Sequence, residues 1–313
     1  MIPVLEAVPN VSEGRDLTKV EALVEVIGGH DVEVLDWSAD PDHNRAVVTF
    51  IGHPEAVEEA ALATARFALE TIDLRRHRGV HPRVGALDVL PFVPLRGLSM
   101  DDAVASARRV GERIADLGVP VFFYGQASTP PGRGLAELRR GGFEALAEGW
   151  PPGRAPDLPP GATGPHPSAG VTCVGARRIL LAWNVVVSGI ELEDARAIAA
   201  MIRERGGGFP GVRALGLHLE DQDRVQISMN LEDPERVLPL DVFRRIETEV
   251  RRRGGTVLET EVIGMMPDTL VLPDSADRLK LPDLGRARVL SHRVAEYVAA
   301  RGGERTETPD TTE

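Results

Sequence analysis

The sequence predicts an α+β protein built as two ferredoxin-like (βαββαβ) subdomains whose sheets face each other. Three observations carry that prediction. Short runs of branched apolar residues alternate with stretches that place apolar side chains at helical spacing. The order strand, helix, strand, strand, helix, strand occurs twice. A Pro- and Gly-rich stretch over 149–170, poor in apolar residues, stands between the two occurrences as a linker. Helices on one face of each sheet leave the other face bare, and two bare faces either bury each other or line a shared ligand channel.

In the first unit, Ile2 to Val8 is the opening strand and Leu17 to Ile27 an amphipathic helix, followed by strands Val32 to Trp37 and Ala46 to Ile51. Pro54 opens the second helix, because the first turn has no use for the missing N–H. Val57, Ala60, Ala61, Thr64, Phe67, Ala68 and Ile72 then keep one face apolar. Ala86 to Val93 closes the unit, and a helix over 101–117 with a strand from Pro120 to Tyr124 extends it. The second unit opens on the apolar strand Ile179 to Val187. Its first helix turns Leu192, Ala195, Ile198, Ala199 and Ile202 inward and stops at Gly206. Strands Val212 to Leu219 and Val225 to Asn230 follow across the polar turn 220–224. A helix from Leu240 to Arg253, buried through Phe243, Ile246 and Val250, and the strand Thr256 to Ile263 complete the unit, and a helix from Ala276 to Ala300 is appended. Subdomains are thus expected at 1–177 and 178–300, with a disordered tail at 301–313, where no large apolar side chain occurs.

Composition narrows the function. A chain of 313 residues with 42% hydrophobic residues can fill two cores, while a net charge of -12 and 4% aromatics speak against a nucleic-acid surface. No stretch reaches the roughly 20 apolar residues of a membrane helix. The opening Met1-Ile2-Pro3-Val4-Leu5-Glu6 lacks a basic segment followed by an apolar one, so a cytoplasmic location without membrane contact is expected. Cys173, the single cysteine, sits in an apolar run and is expected to be a small buried residue rather than a nucleophile.

Against that acidic background, Arg75-Arg76-His77-Arg78-Gly79-Val80-His81-Pro82-Arg83 concentrates four arginines and two histidines in nine residues, which suggests anion binding or proton transfer. Three readings fit the spacing: a hydrogen-bonded surface loop, a metal pair, and a catalytic base. The metal reading is weakened because Gly79 and Pro82 interrupt any helix that would align His77 with His81, and no third ligand has zinc spacing. The turn Asp40-Pro41-Asp42-His43-Asn44-Arg45 is either a solvated hairpin loop or a polar wall. On the second reading Asp40 or Asp42 would orient a histidine and Arg45 would pair a carboxylate, with Asp36 a further candidate. Ser12 suits a helix cap or a turn. The segment Gly164-Pro165-His166-Pro167-Ser168-Ala169-Gly170 either covers a planar ligand or merely connects. Nucleotide-binding glycine motifs are absent.

Eight ordered blocks resemble the formiminotransferase family. They are Val8 to Gly14, Asp42 to Phe50, Gly79 to Val89, Pro91 to Pro94, Val121 to Gly125, Val174 to Arg177, Trp183 to Val185 and Val225 to Leu231. The resemblance implies a glutamate formimidoyltransferase activity that moves a formimino group from N-formimino-L-glutamate to N5 of tetrahydrofolate, the co-substrate, in histidine degradation. It also implies a folate-binding tunnel between the subdomains and a homodimer; no metal is expected, on the spacing given above. By position the family's catalytic histidine falls on His81, aided by Asp36 and Asp42, and its folate loop on Gly164, Pro165, His166, Pro167, Ser168, Ala169 and Gly170. Arg45, Arg83 and Arg177 become candidates for the carboxylates of the two glutamyl groups. In bifunctional relatives a cyclodeaminase follows; this chain is expected to end without one and to release its product to a separate enzyme.

Three positions depart from the family pattern. Ser38 stands where relatives carry a second acid, Val80 where Glu often precedes the histidine, and Gln126 where Glu follows the Tyr-Gly pair. A serine cannot stabilise an imidazolium by charge, so Asp40 or Asp42 would substitute. The lost carboxylates keep two alternatives open: a formyl donor on the same scaffold, or folate binding with little catalysis.

Overall fold

The computed structural model describes residues 1–219, 223–271, 275–281 and 285–303, and shows a mixed α+β protein with two sheets. In the first sheet, β1 (Leu5–Ala7) and β2 (Asn10–Val11) share one line, broken at Val8 and Pro9, between β4 (Arg45–Gly52) and β5 (Leu87–Pro94). β3 (Val32–Asp40) forms the edge beside β4. Beyond β5 the sheet continues through β7 (Thr172–Ala176) and β6 (Val121–Gly125), both paired in parallel. The second sheet orders its strands β11 (Thr256–Ile263), β8 (Leu181–Ser188), β10 (Arg224–Leu231) and β9 (Val212–Leu219).

Three helices, α1 (Leu17–Gly28), α2 (Pro54–Thr71) and α3 (Met100–Asp116), cover one face of the first sheet. Each starts where its sequence allows. Asp16 caps α1 by accepting from the Lys19 N–H at 3.1 Å, and Pro54 occupies the first turn of α2. Ser99 and Asp102 close a capping box on α3. Beneath the helices Leu5, Phe50, Leu90 and Phe92 are fully buried, each contributing on the order of 1.5–3 kcal/mol through burial. The second sheet buries Trp183, Ile227 and Met229 against α6 (Leu192–Ile202) and α7 (Pro239–Arg252).

The stretch expected to link the units belongs instead to the first. After β6 the chain forms α4 (Leu135–Leu138) and α5 (Gly142–Ala147), then re-enters the sheet as β7. Leu138 and Leu146 pack on Phe122, Tyr124, Val89 and Cys173, covering the helix-free face at that end. Cys173 is indeed buried and free, and burial pushes its thiol pKa up. Only residues 177–180 lie between β7 of the first sheet and β8 of the second.

The appended helix is divided. α8 (Ser275–Leu279) stops where Lys280 takes a left-handed φ of 53°, and α9 runs Leu290–Gly303, so Arg301, Gly302 and Gly303 are helical where the tail was expected to begin. The rest of that tail and residues 220–222 of the turn 220–224 lie outside the described residues. α9 returns to the first unit: Leu290 and Tyr297, with Met265, pack on Val4, Leu35 and Ile51. Arg293 pairs with Glu33 at 2.6 Å and Arg301 with Asp31. The helix-free face of the first sheet is thus covered at both ends, and a polar strip containing Arg45, Thr49, Asn10 and Glu6 lies between the two covers.

Candidate active site

Three loops meet at one end of this strip: Ser12 to Gly14, the β3–β4 turn, and the segment around Gly79 after α2. Two glycines permit the contact. A Cβ on Gly14 would stand 2.3 Å from the Asp40 carbonyl oxygen, and one on Gly79 2.3 Å from that of His43. Asn44, at φ 49°, ties the loops together; its Oδ1 accepts from the Gly14 N–H at 3.0 Å and its Nδ2 donates to the Arg78 carbonyl at 2.9 Å. The Val80 N–H donates to the Asp42 carbonyl at 3.1 Å. Ser12 does not cap a helix: its Oγ donates to the Gly85 carbonyl at 2.7 Å and its N–H to that of Ala86.

The two histidines of the basic loop have different employment. His77 Nδ1 accepts from Arg83 Nε at 2.8 Å, so its proton sits on Nε2, which donates to the Asn44 carbonyl at 2.7 Å. Both ring nitrogens are used, and no lone pair is left for a metal. Among the described residues no group of three His, Cys, Asp or Glu side chains could hold a metal ion. Arg83 completes this arrangement with a fork onto Glu144 at 2.7 and 2.9 Å, so its guanidinium is already occupied.

His81 is held but not consumed. Its Nδ1 is enclosed without a hydrogen-bond partner, and its ring centroid lies 5.8 Å from that of His43, whose Nε2 is also enclosed and unpartnered. Burial, then the charges of Arg45, Arg139 and His43, hold its pKa well below the usual histidine range. At neutral pH His81 is therefore an unprotonated base. His43 is lowered by burial too, with Asp40 and Asp42 opposing.

Positive charge surrounds this base. The Arg45 Nε is enclosed with no partner, and burial, then Arg139, bring the Arg45 pKa down to about 10. Arg139, just after α4, pairs with Asp88 Oδ2, while Asp88 Oδ1 accepts from the N–H groups of Val84 (2.7 Å) and Gly85 (3.2 Å). One carboxylate thereby fixes both a guanidinium and the backbone that follows His81. Arg45 and Arg139 are both half-buried, and with Asp88 already paired to Arg139 the unpartnered Arg45 Nε is left as a donor for an anion.

The remaining candidates lie at different distances from this cluster. Asp42 is buried in the turn beside His43. Asp36 faces the strip opposite Thr49, four residues and about 13 Å up β3 from Asp40. It stands 3.7 Å from Arg288 and accepts from the Gly264 N–H, and burial raises its pKa despite both. Ser38 faces the same side, opposite Val47. Gly164 to Gly170 comes close to the His81 loop: the Ser168 and Ala169 carbonyls accept from Leu74 and Ala86, and His166 and Gly170 exchange backbone hydrogen bonds at 2.9 Å. Within it, His166 Nδ1 accepts from the Ala169 N–H. Arg177 follows β7 at the far side of the strip, near Glu6 and Tyr124.

Sequence reasoning missed Arg139 and Glu6. Arg139 lies 51 residues from Asp88, just after a short helix that carries no motif. Glu6 is a single acid in an apolar strand, and that interruption was the available signal.

Two family models match the chain: the formiminotransferase domain, N-terminal subdomain, over residues 4–177, and the formiminotransferase domain over 182–278. A glutamate formimidoyltransferase of Streptococcus pyogenes serotype M1 is 38% identical over 90% of this chain and 95% of its own length. One from Thermoplasma acidophilum is 36% identical over 93% and 97%. The formimidoyltransferase-cyclodeaminase of Rattus norvegicus is 39% identical over 88% of this chain but only 52% of its own length.

Proposed function

Since the chain belongs to the formiminotransferase family and is a transferase, we propose that it moves the formimino group of N-formimino-L-glutamate to N5 of tetrahydrofolate, releasing L-glutamate. The observation that carries this reading is the enclosed, unpartnered Nδ1 of His81 in a cluster with Arg45, whose enclosed Nε also lacks a partner. N5 attacks the amidine carbon and a tetrahedral intermediate forms. N5 must then lose a proton and the glutamate nitrogen must gain one before the C–N bond to glutamate breaks. A low-pKa imidazole takes the first proton as base and, once charged, is acidic enough to deliver it to the leaving nitrogen.

Arg45 and Arg139 are suited to the carboxylates of the formimino donor, which would bring the missing negative charge to the cluster. Arg83 contributes indirectly: through His77 and Glu144 it holds the loop that carries His81. Asp42 and Asp40 flank His43 and take the place of the acid lost at Ser38. Asp36 lies farther up the strip and would meet the folate rather than the imidazole. We place the folate along the strip, between the helix-free faces of two βαββαβ units, with Gly164 to Gly170 against its pterin end. Asn184 and Gln226, buried on the helix-free face of the second sheet, offer that space polar groups, and Gln226 Nε2 has no partner. A donor that is the acyclic product of imidazole-ring opening places the reaction in histidine degradation.

The test is to mix the purified protein with tetrahydrofolate and either N-formimino-L-glutamate or N-formyl-L-glutamate and to follow the folate spectrum. Turnover with the formimino donor is expected. Turnover with the formyl donor alone, or folate binding without turnover, overturns the assignment.

A further inference from the structure

Two ring nitrogens in the site are enclosed without partners, and they belong to neighbouring rings. Among the described residues, His81 Nδ1 and His43 Nε2 make no hydrogen bond, although the ring centroids lie 5.8 Å apart with the planes tilted by 41°. A buried polar atom without a hydrogen bond is costly, and two on adjacent rings are natural partners for each other. His81 as a whole is half-buried while its Nδ1 is enclosed, so Nε2 is the nitrogen left open to a reactant. When Nε2 serves as the base, Nδ1 carries the ring proton and needs an acceptor.

The other neighbours of His81 supply little for that proton. Arg45 and Arg139 face it and disfavour an imidazolium, and only the Pro82 backbone favours one. His43 is set differently: Asp40 and Asp42 favour its charged form, with Arg45 opposing them. Its place is fixed through its backbone. The His43 N–H donates to Asp40 Oδ1 at 2.7 Å, and its carbonyl rests against Gly79, where a Cβ would stand 2.3 Å from the oxygen. The turn that carries His43 and the loop that carries His81 are thereby held side by side.

We propose that His43 is a positioning residue for the base, its Nε2 accepting from the Nδ1–H of charged His81. This rests on the transferase reading given above. His81 Nε2 takes the proton from N5, and the imidazolium donates through Nδ1 to the lone pair of His43 Nε2. The Nε2 proton then passes to the departing glutamate nitrogen, which returns His81 to its neutral form. His43 keeps its own proton on Nδ1 throughout. Hydrogen bonds of this kind are often long in the unliganded protein and tighten in the reacting complex. An imidazole thus stands where a catalytic triad has a carboxylate behind its histidine.

The test is the pH dependence of formimino transfer in His43→Leu and His43→Gln. Without its acceptor the His81 imidazolium is less stable, so in His43→Leu the acid limb of the kcat/KM profile should move down by about one pH unit. The same loss should lower kcat about tenfold or more. Gln places an amide oxygen near the position of the imidazole Nε2, so His43→Gln should regain most of both. If His43 acted only as a second positive charge, the limb in His43→Leu would move to higher pH instead. That outcome, or a limb that stays in place, overturns the proposal while leaving the transferase reading intact. If His43→Leu does not fold, nitrogen NMR of labelled histidine in the wild-type protein decides: the two rings should shift together over one pH interval, and two independent titrations overturn the pair. No turnover by the wild-type protein overturns the transferase reading, and the same spectra then judge the pair by itself.

Discussion

Gly79→Ala is the most informative single change, because it moves His81 without altering its imidazole. A Cβ at position 79 would lie 2.3 Å from the His43 carbonyl oxygen, 2.9 Å from its carbon and 3.0 Å from Asn44 Cβ. Ordinary contact begins near 3.4 Å, and the nearest obstacle is backbone, so the loop must retreat by about 1 Å. Two hydrogen bonds oppose that retreat: Val80 N–H to the Asp42 carbonyl at 3.1 Å, and Asn44 Nδ2 to the Arg78 carbonyl at 2.9 Å. Losing both costs about 1 kcal/mol each, a tolerable fraction of a stability of roughly 5–15 kcal/mol. His81 is two residues away, and a displacement of about 1 Å at a reacting group costs about 10²-fold in rate. Gly79→Ala should therefore fold and melt within several degrees of the wild type, yet lose about 10²-fold in kcat/KM for formimino transfer. Initial rates from the folate spectrum, with circular-dichroism melts as the control, measure both. A folded variant with wild-type kcat/KM would refute the claim that this contact positions His81.

Three further expectations follow from the same geometry. His81→Ala should lose about 10² or more in turnover while tetrahydrofolate still binds, measured by fluorescence titration beside rate assays. Arg45→Gln removes one of the charges that depress the His81 pKa, so the acid limb of the kcat/KM pH profile should move to higher pH. Movement to lower pH would contradict the assigned neighbourhood. Glu6 has its pKa raised by burial from 4.5 to about 7, so the protonated form favours the folded state. The associated stability is complete below pH 4.5 and is lost as pH rises through about 7. Denaturant midpoints should show the wild type losing stability relative to Glu6→Gln over that window, and parallel pH curves would exclude the burial that causes the shift.

The order of strands and helices was legible because each element carries its own signal. Pro54 marks the start of α2, and the period of Val57, Ala60, Ala61 and Thr64 sets its buried face. β7 was not legible. Thr172 to Ala176 is a five-residue strand containing Cys, Gly and Ala, and its partners Val89 to Phe92 and Val121 to Gly125 lie far away in the chain. A parallel pairing of that separation leaves no local trace. For that reason the stretch 149–170 looked like a linker. The break in the appended helix had a partial signal in Pro282, which cannot donate within a helix. Within the site, residue types and block order pointed to His81 and Arg45. The difference between His77 and His81 depends on which nitrogens Arg83 and Asn44 occupy, and that is a fact of three-dimensional proximity. Arg139 and Glu6 become visible for the same reason, one through Asp88 and the other through its burial on the strip.

The return of α9 to the first sheet also bears on how the molecule is made. Arg293 meets Glu33 across 260 residues of sequence, and Tyr297 fills a cluster with Val4, Leu35 and Ile51. During synthesis the N-terminal sheet emerges long before this cover exists, and its Leu35 and Ile51 stay open to solvent until the C-terminal helix has left the ribosome. Closure of so long a loop is entropically expensive but grows only slowly with length, so the last step is delayed more than it is weakened. A nascent or truncated chain that stops before residue 290 would carry an apolar edge beside a nearly finished active site. Such a chain is a natural client for chaperones and proteases until the residues of α9 arrive.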